Sequence, residues 1–324
     1  MKALLKNSTD IDHQVWQDFI EKSEQGAIYA LPSYMEIIAP GWKGIEVWRD
    51  KTLLAVMPIL PKKKVRFTYA LQPSFSQFWG IAFTSDIPEN TYKAYSLKRK
   101  IVQAVIAAIP KEVKWFLNGF APEFDYPNPF YWKGFSLRNR YTYRLDLSLG
   151  IETVQKNFGS DTRYDIRKAE KEGIVVEQAT EGSGLLKLIE ENHASGKTLL
   201  QAAEIETLKR LIPYLIREKR GHLFEARSNT GELIGAALTA NFAGKTVYLM
   251  SAQLPKSSSS GAMTLNLRQA IATAAEHSTV FDFEGSMIEG IEGFFRGFGG
   301  TPTPYLIIEK NQLPLLVRWA RKLR

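Results

Sequence analysis

The chain contains no cysteine. That excludes disulfides, thiolate metal sites and a cysteine nucleophile. It also lacks an apolar run long enough to span a bilayer, which takes about 20 residues. The opening "MKALLKNSTDIDHQVW" has no apolar segment of the kind a secretory signal carries. Together with the missing cysteine, this predicts a cytoplasmic protein. No low-complexity linker divides the chain. Histidine is scarce, and His13, His193, His222 and His277 have no spacing that suggests a metal site or a catalytic triad. No metal is expected.

What is present suffices for ordinary globular cores. The chain has 324 residues, 44% hydrophobic and 12% aromatic, a length that suggests about two domains. Lys and Arg number 42 against 34 Asp and Glu, a net charge of +8. The excess favours anionic partners such as phosphates, nucleic acid or a membrane surface, without choosing among them.

The informative feature is a weak internal repeat. "IEVWRDKTLLAVMPI" (45–59) and "HLFEARSNTGELIGAAL" (222–238) each alternate around a turn, the pattern of a hairpin. The helix candidates "LKRKIVQAVIAAI" (97–109) and "LNLRQAIATAAEH" (265–277) follow. Next come short strands closing on glycine, "VKWFLNG" (113–119) and "TVFDFEG" (279–285), then "YWKGF" (131–135) and "FFRGF" (294–298). Each copy ends on a further strand candidate, "YTYRLDL" (141–147) and "YLIIE" (305–309). Four matches in one order suggest two copies of one α/β unit, joined near Asp146-Leu147-Ser148. In the second copy one helix is expected through "ETVQKNFGSDTRYDIRKAEKEG", closed by Gly173. A strand "IVVEQA", two helices near 184–195 and 203–219, the hairpin and a third strand "KTVYLMSAQ" (245–253) follow.

Three stretches carry candidate chemistry. At 100° per residue Arg163, Arg167 and Lys171 form one helical stripe, opposite an apolar face of Phe158, Ile166 and Ala169. Such a stripe either holds an anion or is a solvated face with i,i+4 charge pairs. Ser257, Ser258, Ser259, Ser260 and Gly261 lead into a helix N-terminus, where free N–H groups suit a phosphate; the plainer reading is a polar loop with a serine cap. In "FDFEGSMIEGIEGFFRGFGG" (281–300), strand alternation puts Asp282 and Glu284 on one face, Phe281 and Phe283 on the other. "PKKKVRF" (61–67) reads as a solvated loop. The C-terminal "LPLLVRWARKLR" reads as an amphipathic basic helix, suited to docking or to peripheral membrane contact.

The residues of 143–177 and 281–300, with the element order, resemble the GNAT acyltransferase superfamily, and the tandem arrangement resembles the Fem-type peptidoglycan aminoacyltransferases and GNAT-like two-domain acyltransferases. The resemblance implies an α/β fold of two tandem GNAT-like domains with mixed, mostly antiparallel sheets flanked by helices. Residues 1–145 would form the first domain and 146–310 the second, which carries the active site. The C-terminal helix, 311–324, would pack on the first domain. The implied function is an N-acyltransferase or aminoacyltransferase acting on an amine, with a cell-envelope precursor as candidate acceptor. The donor would be acyl-CoA or aminoacyl-tRNA, with no tightly bound cofactor, and tRNA a candidate partner. The alternative is a catalytically degenerate duplicate that binds a nucleotide-sugar or polysaccharide precursor.

Within that family the donor lies where two parallel strands splay apart, here between the strands ending near Gln253 and Glu284. Glu284 is then the candidate base, with Asp282 as its orienter or a structural partner. The stripe Arg163, Arg167 and Lys171 would hold the phosphates of an anionic precursor, and residues 257–261 the donor. The family's glycine-rich loop is serine-rich here. Relatives carry lysine where this chain has Phe295, with Arg296 one residue later. The first copy has Phe116, Asn118 and Gly119 at the positions matched to Asp282, Glu284 and Gly285, an apparent internal control.

Overall fold

A computed structural model describes residues 1–196, 200–257, 260–285, 287–315 and 317–318. The chain divides into two compact units, Met1–Arg140 with Pro304–Arg324, and Tyr141–Thr303.

The first unit begins with β1 (Lys2–Asn7), α1 (His13–Lys22), α2 (Pro32–Ile38) and the hairpin β2 (Lys43–Arg49) and β3 (Thr52–Ile59). The turn between them places Asp50 at a φ of 52°, a left-handed position that a short polar side chain tolerates. Next are β4 (Pro61–Lys64), β5 (Phe67–Leu71), β6 (Ala82–Phe83), α3 (Thr91–Ala108), β7 (Val113–Phe120), α4 (Asn128–Trp132) and the start of β8 (Ser136–Asp146). Helix α3 buries Leu97, Ile101, Val102 and Val105 against Ile45, Val47, Met57 and Phe116. Its apolar residues recur every three or four positions, so one face seals the sheet.

The second unit continues with α5 (Ile151–Lys156), α6 (Ser160–Lys171), β9 (Val175–Ala179), α7 (Ser183–Ala194), α8 (Ala202–Arg217), β10 (Gly221–Arg227), β11 (Leu233–Phe242) and β12 (Lys245–Gln253). Then come α9 (Ala262–Ala274), β13 (Val280–Asp282) and α10 (Glu289–Gly297); β14 (Thr301–Asn311) follows and from Pro304 on belongs to the first unit. Strand β10 shows why helices cover both faces. Phe224 and Ala226 join the core that α9 seals. Glu225 points the other way, where a side chain on Gly184 of α7 would come within 2.0 Å of its Oε1.

The repeat is visible in the strand orders. In the first unit β1, β2 and β3 are neighbours, Leu60 steps to β4, and β4-β5-β7-β14 follow. In the second the order is β9-β10-β11-β12-β13-β8. Each unit holds a parallel pair at a matching place, β5 with β7 and β12 with β13. The closing strands are exchanged. Residues 144–146 of β8, which follows α4, pair with β13, and residues 306–311 of β14, which follows α10, pair with β7. Residues 304–310 are thus grouped with the first unit, whereas the sequence reading assigned 146–310 to the second.

Four local expectations differ from the structure. The stretch 61–67, read as a loop, is strand β4, a two-residue turn and the start of β5. The single helix expected over 152–173 is two, α5 and α6. Phe158 is buried, packed on Phe298 at 5.1 Å, and Gly159 N–H leaves the helical ladder for the carbonyl of Gly297 at 2.8 Å. The strand expected over 279–285 stops at Asp282. Of the helix expected over 311–324, Asn311 belongs to β14, and residues 316 and 319–324 lie outside the described residues. Among the described residues no helix is long and apolar enough to cross a membrane.

Candidate active site

Strands β12 and β13 are paired only from Lys245↔Val280 to Val247↔Asp282. Beyond that, β12 stays with β11 as far as Gln253, while the other chain turns away after Asp282. A cleft of about 910 Å³ opens between them. Its walls are Tyr248–Gln253 of β12, Phe283–Gly285, Gly290, Ile291, Phe294 and Phe295 of α10, Met263 and Thr264 at the start of α9, and Asp165 of α6.

Asp282 explains the turn. It is 2% exposed. Its Oδ2 accepts from Arg144 Nε at 2.7 Å, and its Oδ1 accepts from the Thr142 hydroxyl and from Glu284 N–H, the latter at 2.9 Å. The last bond is an Asx turn, in which a side chain replaces the missing ladder partner. It allows two successive left-handed residues, Glu284 at φ 57° and Gly285 at φ 60°. Glycine is required at 285, since a Cβ there would lie 2.3 Å from the Tyr141 carbonyl oxygen. Glu284 is therefore past the strand, and strand alternation does not apply to it. It lines the cleft, half-buried, while Asp282 is committed to Arg144 and Thr142. The phenylalanines behave as expected, with Phe281 and Phe283 buried in the core.

The aromatic wall is continuous. Phe283 stacks on Phe295 at 5.0 Å, and Tyr248 meets Phe295 edge-on at 6.0 Å. Burial pushes the Tyr248 phenol up to about 12, partly offset by a hydrogen bond with Ser251. The hydroxyl stays protonated and can donate. Opposite β11 the register skips from Leu238↔Met250 to Thr239↔Tyr248. Leu249 is thus a bulge without a cross-strand partner, which kinks the strand and re-aims its backbone at the cleft. Asn192 of α7 pins the far end, donating to the Gln253 carbonyl at 3.1 Å.

The other candidates lie as follows. Arg163 donates to the carbonyls of Phe158 and, at 3.4 Å, Lys156, closing the end of α5 in the manner of a C-terminal cation. Arg167 and Lys171 are exposed, and none of the three lines the cleft. Arg296 is exposed and paired with Glu292, Nε to Oε1 3.1 Å; it too is absent from the cleft walls, which α10 enters through its neighbour Phe295. Glu292 also accepts from Tyr143 at 2.8 Å, and burial first, then this bond, raises the Tyr143 phenol. Ser257 is buried and donates to the carbonyls of Ile234 and Leu254 at 3.0 and 2.7 Å. Ser260 caps α9 by accepting from Ala262 N–H at 3.2 Å. Ser258 and Ser259 lie outside the described residues. Gly261, at φ 74°, packs against α6, where a Cβ would lie 2.4 Å from the Asp165 carbonyl oxygen.

Sequence reasoning missed Asp165, Tyr248 and the bulge at Leu249. Asp165 was visible on the acidic side of the α6 wheel, but the basic stripe drew attention to the opposite side. Tyr248 sits in a strand that was recognised, and nothing in its alternation marks the bulge.

No family model matches the chain, and no curated protein matches it in sequence. Solved structures do. FemX is similar with a TM-score of 0.68 at 16% identity, covering 94% of this chain and 97% of that one. A tandem GNAT protein from the clavulanic acid biosynthesis pathway gives 0.56 at 11%, covering 97% and 99%. L-PGS from Bacillus licheniformis gives 0.55 at 14%, covering 95% and 94%. The fold is thus a tandem GNAT-like α/β fold, and the resemblance to Fem-type, GNAT-like proteins is supported by these neighbours. At such identities the likeness concerns fold and not activity.

Proposed function

We propose that the second unit is an acyl-transfer centre that moves an aminoacyl group onto an amine, with a cell-envelope precursor as the acceptor class. The observation that carries this reading is Glu284, a carboxylate on the wall of the cleft where the parallel strands part, backed by an aromatic surface and facing the bulged strand β12. The acceptor amine attacks the ester carbonyl; the C–N bond forms and the C–O bond breaks. Glu284 takes the proton that the nitrogen must lose, as a general base within reach of the reacting group does. Tyr248 supplies a proton to the departing oxygen. The backbone at the Leu249 bulge is the candidate partner for the carbonyl oxygen, since preformed dipoles stabilise charge that develops there.

Electrostatics favours an aminoacyl donor over acyl-CoA. Asp165 and Glu284 line the cleft, and no Lys or Arg does among its described lining residues. A diphosphate gains nothing from such a wall, whereas the ammonium of an aminoacyl ester is attracted to it.

Aminoacyl-tRNA and acyl-CoA would be offered in turn with hydroxylamine as a generic amine, and the hydroxamates measured by mass spectrometry. The expected product comes from the aminoacyl donor. Glu284→Gln should lower kcat by about 10²-fold with the melting temperature unchanged. Full turnover by that variant would falsify the assignment of the base. Hydroxamate from acyl-CoA alone would overturn the choice of donor.

A further inference from the structure

The β4–β5 hairpin lies in the first unit, and nothing in the reading of the cleft uses it. Its pairing runs from Pro61↔Ala70 to Lys64↔Phe67, which leaves Val65 and Arg66 as a two-residue turn. Residues 62–66, Lys-Lys-Lys-Val-Arg, are all exposed. Among the described residues none of Lys62, Lys63, Lys64 and Arg66 has a carboxylate partner. Four unneutralised cations therefore sit on one projecting hairpin.

The tip adds a second observation. Val65 is 88% exposed and has a φ of 56°. A β-branched residue is an outlier in the left-handed region, where Asn or Gly would sit without strain. The turn holds an apolar side chain outward although a polar one would fit better. A solvated loop explains neither the valine nor its place among the cations.

We propose that this hairpin docks on an anionic phospholipid bilayer, with Val65 entering the interface and the surrounding cations meeting the headgroup phosphates. Apolar contact and basic charge on one element is the combination that holds peripheral proteins at such a surface. Val317 joins Lys64, Phe67 and Trp115 around one groove beside the hairpin. Single-stranded nucleic acid is the less suitable partner, because it is held by stacking on free aromatic faces. Here Tyr69 and Trp115 pack edge-to-face at 6.1 Å, Trp115 donates to Glu309, and Arg66 covers Phe67 at 5.0 Å. The inference rests on this surface alone and does not depend on the reading of the cleft.

The test is co-sedimentation of the full chain with vesicles of phosphatidylcholine, with and without phosphatidylglycerol, beside a binding assay with unfractionated tRNA. Binding is expected only to the anionic vesicles and should weaken with salt. Each basic residue near a charged surface contributes about fivefold in affinity, so Lys62→Gln, Lys63→Gln and Lys64→Gln together should lose about 100-fold. Val65→Asn relieves the backbone, so it should fold at least as well as the parent and still bind several-fold more weakly. Equal binding to neutral vesicles, no binding to anionic ones, or either variant binding as the parent does would each overturn the proposal. So would tRNA binding that the triple variant abolishes while vesicle binding is unchanged.

Discussion

The two units share a strand order but differ at the place where their parallel pairs end. In the second unit the strands part after Val247↔Asp282 and leave a cleft. In the first, the pair β5–β7 runs to Leu71↔Leu117, and the chain then folds back over the gap. Gln72 N–H bonds the Leu117 carbonyl at 2.9 Å, and Trp79 N–H bonds the Gly119 carbonyl at 2.7 Å. The Gln72 side chain accepts from Gly119 N–H, and Asn118 donates to the Trp79 carbonyl at 3.1 Å. Trp79 itself is 1% exposed. The first unit satisfies with its own chain the backbone groups that the second leaves facing a cleft. The same strand order thus stays splayed in one unit and is filled in the other, and the proposed centre lies in the splayed one.

The largest expected effect lies at Asp282. Its carboxylate serves a half-buried arginine, a buried threonine and the turn that sets Glu284, so Asp282→Ala removes three bonds at once. Breaking a buried ion pair from one side typically costs about 3–5 kcal/mol, and urea melts should show a loss of that order together with loss of transfer. In the first unit Asn118→Ala, on β7, frees the Trp79 carbonyl and should cost only about 1–3 kcal/mol, with the transfer rate kept. A stable Asp282→Ala protein that loses only kcat would move Asp282 from the scaffold into the chemistry.

Much of this contrast was legible in the sequence, but not its cause. Alternation marked the hairpins because that signal is local, but the glycines misplaced the strand ends: β7 runs past Gly119 to Phe120, and β13 stops at Asp282, before Gly285 is reached. The glycine-anchored alignment also pairs opposite faces. Phe116 packs against α3 in the first core; Asp282, matched to it, faces away from the second core, in which Phe281 and Phe283 lie. Phe116 and Asn118 are thus no control for Asp282 and Glu284. The residues that fill the first cleft, 72–80, have no period to read. The exchange of β8 and β14 is likewise invisible, since a strand's pattern states which face is buried and not which neighbour it pairs with. Arg163 looked like an anion ligand because a helical wheel does not show the carbonyls at the end of α5.

Two glycines sharpen the comparison at a smaller scale. Gly119→Ala puts a Cβ 2.5 Å from the Gln77 carbonyl oxygen, within the segment that fills the first cleft. Overpacking of this kind costs about 1–3 kcal/mol, and the transfer rate should stay near that of the parent. Gly285→Ala meets the Tyr141 carbonyl oxygen at 2.3 Å with a positive φ as well, and should lower both stability and rate by shifting Glu284. Equal loss of activity in the two variants would show that the filled first unit takes part in catalysis.

The smallest effect expected concerns a stacked pair of histidines in the second unit. His222 stacks on His277 with ring centres 5.3 Å apart and 16° between planes, and its Nδ1 is buried without a partner. Burial, then repulsion from His277, lowers the His222 imidazole below its usual value, against a weaker opposite pull from Glu276. The sign follows from proton linkage. Above about pH 6.5, the ordinary histidine value, His222 is neutral in both states and does not affect the balance. As the pH falls below that, the unfolded chain takes up a proton that the folded chain resists, so stability declines until the pH passes the lowered folded value. His222→Phe keeps a ring against Phe224, which already stacks on the imidazole at 6.3 Å, and removes the titration. Urea melts between pH 7.5 and 5 should therefore fall less steeply for His222→Phe than for the parent. Parallel slopes for the parent and His222→Phe would place the acid sensitivity elsewhere in the chain.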